Sequence, residues 1–166
     1  MTCSLIVFRH AKSEWSEDYA GADAERPLAK RGRKAAKLAG RFLADIDSVP
    51  EAVICSPAKR ARATLELARE ARDWGSSVRE AQSLYGGGVE GLLAEVRAEP
   101  DTTRLLMVVG HEPTCSETVG YLTGGGQVRM PTAALARVEL EVGSWAEIGP
   151  GIGVLAWLVT PRLLEP

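Results

Sequence analysis

Leu5-Ile6-Val7-Phe8-Arg9-His10-Ala11-Lys12-Ser13 is an apolar run that stops on an arginine and a histidine. A short run without polar alternation reads as a strand buried on both faces, the kind found inside a parallel sheet. Leu105-Leu106-Met107-Val108-Val109 reads the same way and stops at Gly110-His111-Glu112-Pro113-Thr114. His10 and His111 are the only two histidines of the 166 residues. In open α/β sheets, ligands bind beyond the carboxyl ends of the strands. Two imidazoles and an arginine placed there predict a site for something anionic.

A third segment lies between these two. Ala52-Val53-Ile54-Cys55 is a short predicted strand, followed by Ser56-Pro57-Ala58-Lys59-Arg60-Ala61-Arg62-Ala63-Thr64. The set resembles the histidine phosphatase superfamily, also called phosphoglycerate mutase-like. That family carries Arg-His-Gly or Arg-His-Ala after its first strand, Ser-x-x-x-Arg-Ala-x-x-Thr after its second, and Gly-His near a later one. Each motif alone is weak, but three in order, each after a predicted strand, form a strong signal. Ala11 and Lys12, the chain length, and Glu25-Arg26-Pro27-Leu28 followed by Gly32 are similar to the small SixA-type phosphohistidine phosphatases. The resemblance runs from residue 5 to about residue 114, with a weaker echo at Met130-Pro131-Thr132.

The rest of the chain fits an α/β reading. The loop from Ser13 to Arg26 is polar and acidic. Pro27 can open a helix at its first turn, with Leu28, Ala35, Ala39 and Phe42 at helical spacing and Leu38 and Leu43 beside them. Lys30, Arg31, Arg33 and Lys34 read as the solvated side of that helix. Ser56 is expected to cap a second helix with Pro57 in its first position, running to about Arg72. Val78 begins a short third strand. Gly86-Gly87-Gly88 reads as a loop, Val89 to Val96 as an amphipathic helix, and Pro113 as the start of a helix ending at Gly124-Gly125-Gly126. Ala133–Val142 and Val154–Val159 read as two strands without a helix between them, joined by glycine-rich turns. The expected fold is a single domain over residues 1–166: a three-layer α/β sandwich, phosphoglycerate mutase-like, its mostly parallel central sheet carrying an antiparallel edge hairpin.

Composition excludes several classes. Net charge is −2, with 20 basic and 22 acidic residues, against the basic footprint of a nucleic-acid binder. No stretch has the length of a membrane span, and the N-terminal apolar run is too short for a signal peptide. Cys3, Cys55 and Cys115 are far apart and read as buried thiols of a reducing compartment. A cytoplasmic protein is therefore expected.

What the resemblance implies for the site can be set out residue by residue. His10 becomes the nucleophile that takes a phosphoryl group, and water then hydrolyses the phosphohistidine. Neutral imidazole is abundant near pH 7, so no separate base is needed. Its attacking nitrogen has to be unprotonated, the other being bound to a carbonyl. Arg9 and Arg60 supply planar forks for phosphate oxygens. His111 adds a donor, most useful when protonated. Ser13 adds a hydroxyl or amide to substrate binding, and Arg26 supports the site through an acidic partner or serves to start the helix. Arg62 and Lys59 are expected to face solvent. Glu90 is the nearest acid to the position where phosphomonoester-cleaving relatives keep a proton donor. It is a weak candidate, because an acid early in a helix is favoured for dipole reasons alone. No cofactor or metal site is expected, since two arginines repel a cation and the histidines lack carboxylate or thiolate partners at ligand spacing.

The leading reading is a metal-independent phosphatase of phosphohistidine on a signalling protein. The alternatives are a phosphatase of small phosphomonoesters and an idle phosphate-binding domain. Partners are accordingly a phosphorylated protein or a small phosphorylated metabolite. Intact Arg9, His10, Arg60 and His111 argue against the idle domain.

Overall fold

A computed structural model describes residues 2–15 and 17–166; of the expected acidic loop, Ser16 alone lies outside them. The first apolar run is β1 (Cys3–Arg9), the second β2 (Ala52–Cys55), then β3 (Ser77–Glu80), β4 (Leu105–Gly110), β5 (Leu135–Leu140) and β6 (Gly153–Val159). They form one sheet in the order β3-β2-β4-β1-β5-β6. The pairs β1–β4, β2–β4 and β2–β3 are parallel, and β1–β5 and β5–β6 are antiparallel. The edge hairpin thus exists as expected, and it extends the sheet directly from β1.

β1 is central, which explains its unbroken apolar run: alternate side chains enter different cores. Leu5 and Val7 join the core under the helices α3 (Ser83–Gly86), α4 (Gly88–Arg97) and α5 (Thr114–Leu122). Ile6 and Phe8 join the core under α1 (Lys30–Asp45) and α2 (Lys59–Glu70). Helices on both faces complete three layers, and a short α6 (Pro161–Leu164) packs beside α1. Trp145 and Phe8 are fully buried, and burial of such side chains stabilises the fold by roughly 1.5–3 kcal/mol each. All three cysteines are buried and free. Among the described residues no helix is long and apolar enough to cross a membrane.

Several local expectations need correction. α1 begins at Lys30 rather than Pro27. The preceding residues are extended, because Ser13 bridges to Leu28 and the Ala29 amide donates to the Lys12 carbonyl at 2.9 Å. Gly32 permits that approach, since a Cβ there would lie 2.0 Å from the Lys12 carbonyl oxygen. The buried stripe of α1 is Gly32, Ala35, Ala36, Ala39, Gly40 and Leu43, leaving Leu38 and Phe42 at its margin. Within the acidic loop, Asp23–Glu25 forms a 3-10 turn. Gly86-Gly87-Gly88 is not a loop but the junction of α3 and α4. Gly88 makes the junction with φ of +61°, a conformation that costs glycine little. Trp145–Glu147 is a 3-10 turn between β5 and β6, where no helix was expected.

Candidate active site

Parallel register assembles the site. Arg9 is paired with Gly110 across β1 and β4, and Cys55 with Val109 across β2 and β4. The next residues, His10, Ser56 and His111, therefore emerge side by side at the carboxyl end of the sheet. Main-chain bonds continue past the strands: His10 N donates to the Gly110 carbonyl at 3.0 Å, and Ser56 N to the Val109 carbonyl at 2.9 Å.

His10 is only 8% exposed. Its Nδ1 lies 2.8 Å from the Ala11 carbonyl oxygen. A carbonyl can only accept, so Nδ1 carries the proton and Nε2 keeps its lone pair. Thr64 holds the Ala11 peptide in place: its hydroxyl accepts from the Ala11 amide at 2.9 Å and donates to the Arg60 carbonyl at 2.6 Å. Burial first, then the cost of a second charge beside His111, Arg60 and Arg9, outweighs the raising effect of the Ala11 hydrogen bond and pushes the His10 pKa down to about 3. The ring is neutral at physiological pH.

His111 lies with its ring centroid 5.0 Å from that of His10. Its Nε2 is 2.7 Å from Ser56 Oγ. That Oγ already accepts from the Ala58 amide at 3.3 Å and is fully buried. A buried hydroxyl proton needs an acceptor, and Nε2 is the one within reach. The proton of His111 then sits on Nδ1, which is buried and has no partner among the described residues. Burial and Arg60 lower the His111 pKa to about 4. With that tautomer His111 is neutral at physiological pH and keeps an N–H on Nδ1.

The Ser56 expectation changes accordingly. α2 starts at Lys59 with Ala58 as the residue before it, and Pro57 lies outside the helix. Ser56 is drawn to His111 instead of capping. Arg60 then falls in the first turn of α2 and points back over the strand ends. Its side chain is 7% exposed. Arg60 donates to the Asp23 main-chain oxygen at 2.8 Å and to Asp23 Oδ2 at 3.0 Å. Arg9 is anchored on the Met130 carbonyl at 2.9 Å, which gives the faint Met130-Pro131-Thr132 echo a physical content. Arg26 donates to Ser13 Oγ at 2.6 Å, to the Glu14 carbonyl at 3.0 Å and to Asp23 Oδ1 at 3.0 Å. Among the described residues the Nε atoms of Arg9, Arg26 and Arg60 are buried without a hydrogen-bond partner, but so are those of Arg62, Arg69 and Arg137 elsewhere. The orphan imidazole nitrogen of His111 is therefore the more informative one.

The structure brings Arg9, His10, Arg60 and His111 together, with Ser13 and Arg26 in the loop beside them. Glu90 makes a different contact. It is exposed on α4 and pairs with Arg97 at 3.3 Å, while Arg97 turns to the Ile148 carbonyl. Its helix position serves that pair. Arg62 is 42% exposed and 3.9 Å from Glu80, and Lys59 is exposed.

Sequence reasoning missed Ser56, Thr64, Asp23 and Tyr85 as working parts of the site. The Tyr85 hydroxyl donates to Asp23 Oδ2 at 2.8 Å, and its ring meets His111 edge-on at 5.6 Å. Ser56 and Thr64 stood inside the quoted motif but were read as cap and spacing. Asp23 and Tyr85 carried no signal beyond composition. Among the described residues, no group of three or more His, Cys, Asp or Glu side chains converges as a metal site.

A buried neutral imidazole with a free lone pair, flanked by arginines and a second imidazole, can accept a phosphoryl group and hold its oxygens. Comparison with known proteins agrees with this chemistry. The Histidine phosphatase superfamily (branch 1) matches residues 5–104. An uncharacterized protein of Mycobacterium tuberculosis is 36% identical over 93% of this chain and 99% of its own length. The structure of a putative phosphohistidine phosphatase SixA from Nakamurella multipartitia superposes with a TM-score of 0.84, at 30% identity and 97% coverage of both chains. A protein histidine phosphatase SixA complexed with tungstate gives a TM-score of 0.84, at 26% identity, covering 98% of this chain and 99% of its own. With its strand-end motifs, buried imidazole pair and fold in agreement, the chain belongs to branch 1 of the histidine phosphatase superfamily, in its SixA-type group.

Proposed function

We propose that this phosphatase acts through a covalent phosphohistidine at Nε2 of His10, needs no metal, and takes phosphohistidine of a signalling protein as its substrate. The observation that carries the covalent step is the His10 tautomer: Nδ1 is committed to the Ala11 carbonyl, and Nε2 is left with its lone pair. In the first step the Nε2–P bond forms as the substrate's P–N bond breaks, and its electron pair goes to the leaving imidazole. In the second, water attacks phosphorus, the Nε2–P bond breaks, and phosphate is released. Arg9, Arg60 and His111 hold the phosphoryl oxygens throughout, since catalysis of this transfer is mostly positioning and electrostatics.

The substrate class is supported by the state of the nearby carboxylate. Tyr85 above all, then Arg26 and Arg60, hydrogen-bond to Asp23 and hold its pKa down at about 2. It is ionised at neutral pH and has no proton to donate. A near-neutral imidazole leaves far more easily without an acid than an alkoxide does. The names of the SixA neighbours point to the same class.

Rapid quench with radiolabelled N-phosphoimidazole tests the reading. The expected result is an acid-labile, base-stable phosphoprotein that His10→Ala abolishes together with turnover. Turnover should persist in chelator and be inhibited by vanadate. Normal turnover in His10→Ala, or activity restored only by added zinc or magnesium, would overturn it.

A further inference from the structure

Asp23 places a carboxylate inside a site built for anions. Its Oδ1 accepts from Arg26, its Oδ2 from Arg60 and Tyr85, and its main-chain oxygen from Arg60. One residue therefore ties the 3-10 turn to α2 and α3, and through Arg26 to Ser13 after the nucleophile. Anchoring Arg60 would need only the buried side of this residue. Yet the Asp23 side chain is 53% exposed.

His10 is buried. In-line displacement puts the leaving group opposite the attacking nitrogen, and so toward the mouth. Asp23 and the half-buried Tyr85 are the more exposed members of this cluster, whereas the Arg60 side chain is only 7% exposed. The cations of the cluster, Arg60 and Arg26, are 7% and 18% exposed, and its carboxylate, Asp23, is the side chain that reaches solvent at 53%.

We propose that Asp23 sets the charge specificity of the site: it favours leaving groups that carry a positive charge and disfavours substrates with a second anionic group beside the phosphate. The inference rests on the reading of His10 as the nucleophile. A phosphorylated imidazole takes a proton from solvent on the nitrogen away from phosphorus and becomes cationic. When its P–N bond breaks, the electron pair returns to the ring, which leaves as neutral imidazole. No protein acid is consumed, and a fixed carboxylate at the mouth stabilises the cationic ring. The same carboxylate repels a phosphorylated hydroxy acid. The hydrogen bonds from Tyr85, Arg26 and Arg60 keep the charge on Asp23 across the neutral range. Asp23 is thus a positioning residue for Arg60 and a specificity residue for the leaving group.

The test compares kcat/KM of wild type, Asp23→Asn and Asp23→Glu on N-phosphoimidazole, glycerol 3-phosphate and 3-phosphoglycerate. The two esters share an alkyl leaving group and differ in one carboxylate. Wild type should prefer glycerol 3-phosphate over 3-phosphoglycerate. Asp23→Asn should narrow that ratio roughly tenfold, the scale of one partly screened charge, and lower the rate on N-phosphoimidazole relative to both esters. Asp23→Glu should keep the wild-type ratio. If Asp23→Asn slows all three substrates by one common factor, Asp23 only anchors Arg60 and the inference is overturned. Wild type active on the esters but inert on N-phosphoimidazole would overturn the phosphohistidine reading, while the ester ratio still decides the role of Asp23. Wild type inert on all three would overturn both.

Discussion

The rings of His10 and His111 lie 5.0 Å apart because the residues before them, Arg9 and Gly110, are register partners in β1 and β4. Two imidazoles at this separation, buried beside arginines, cannot both hold protons cheaply. Both are held neutral, His10 to a pKa of about 3 and His111 to about 4, burial being the first cause in each.

Acid stability follows from that depression. The unfolded imidazoles protonate near pH 6.5, so below that pH the unfolded chain binds more protons than the folded one. Stability is unaffected by these groups above pH 6.5 and falls as pH drops toward their folded values. The slope for a well-buried imidazole approaches about 1.4 kcal/mol per pH unit; solvent at His111 reduces its share. Asp23 acts in a lower window, because its unfolded carboxyl titrates near 3.9. Denaturant unfolding of wild type and His10→Ala between pH 6.5 and 4.5 separates the two. The variant should show the shallower loss, and equal slopes would remove His10 as the cause.

Arg60 and Arg62 differ by two residues and about 200° of helix. Arg60 is nearly inaccessible over the strand ends, and Arg62 reaches toward Glu80 at the surface. Arg60→Ala should cost on the order of 2–4 kcal/mol of transition-state stabilisation, or roughly 30- to 1,000-fold in kcat/KM. Arg62→Ala should stay within about twofold, as exposed pairs usually do. Equal losses would show that Arg60 does not face the phosphoryl group.

Ser56→Ala should release His111 from its tautomer. Nitrogen chemical shifts of the imidazole should report the proton mainly on Nδ1 in wild type and shared between both nitrogens in the variant. Vanadate affinity should fall by roughly tenfold, the scale of one hydrogen bond to a charged group. Ser56→Cys, a weaker donor, should fall between. An unchanged tautomer in Ser56→Ala would mean that something other than Ser56 orients His111.

The central strands were legible because burial on both faces leaves a continuous apolar run, as in Leu5–Phe8 and Leu105–Val109. The four residues now at the site's centre were legible for a related reason: each follows such a strand or opens the helix after one. What escaped notice depends on contacts between distant segments. Asp23 and Tyr85 meet across 62 residues, and Thr64 reaches Ala11 across 53. No local pattern encodes such a meeting. Ser56 was misread for a different reason: a serine before proline at a strand end suits a cap, and the competing partner, His111, lies 55 residues away. The glycine triplet is no loop because Gly86 ends α3 and Gly88 begins α4, with a single residue between them.

The dependence of rate on the leaving group decides whether the site works with a general acid. Glu90 pairs with Arg97 on α4, and Asp23 is held ionised by Tyr85, Arg26 and Arg60. A P–N bond to imidazole should therefore be cleaved readily, an aryl ester less so, and an alkyl ester slowly, since the alkoxide leaves without a proton. Across a series of esters, log kcat/KM should rise steeply as the leaving-group pKa falls. Glu90→Gln should leave turnover of N-phosphoimidazole and of every ester within about twofold, the usual size of a surface change. A flat dependence on leaving-group pKa, with the chemical step shown to be rate-limiting, would reveal a working acid. A large loss in Glu90→Gln on the alkyl esters alone would identify it as Glu90 and move the assignment to a phosphatase of small monoesters.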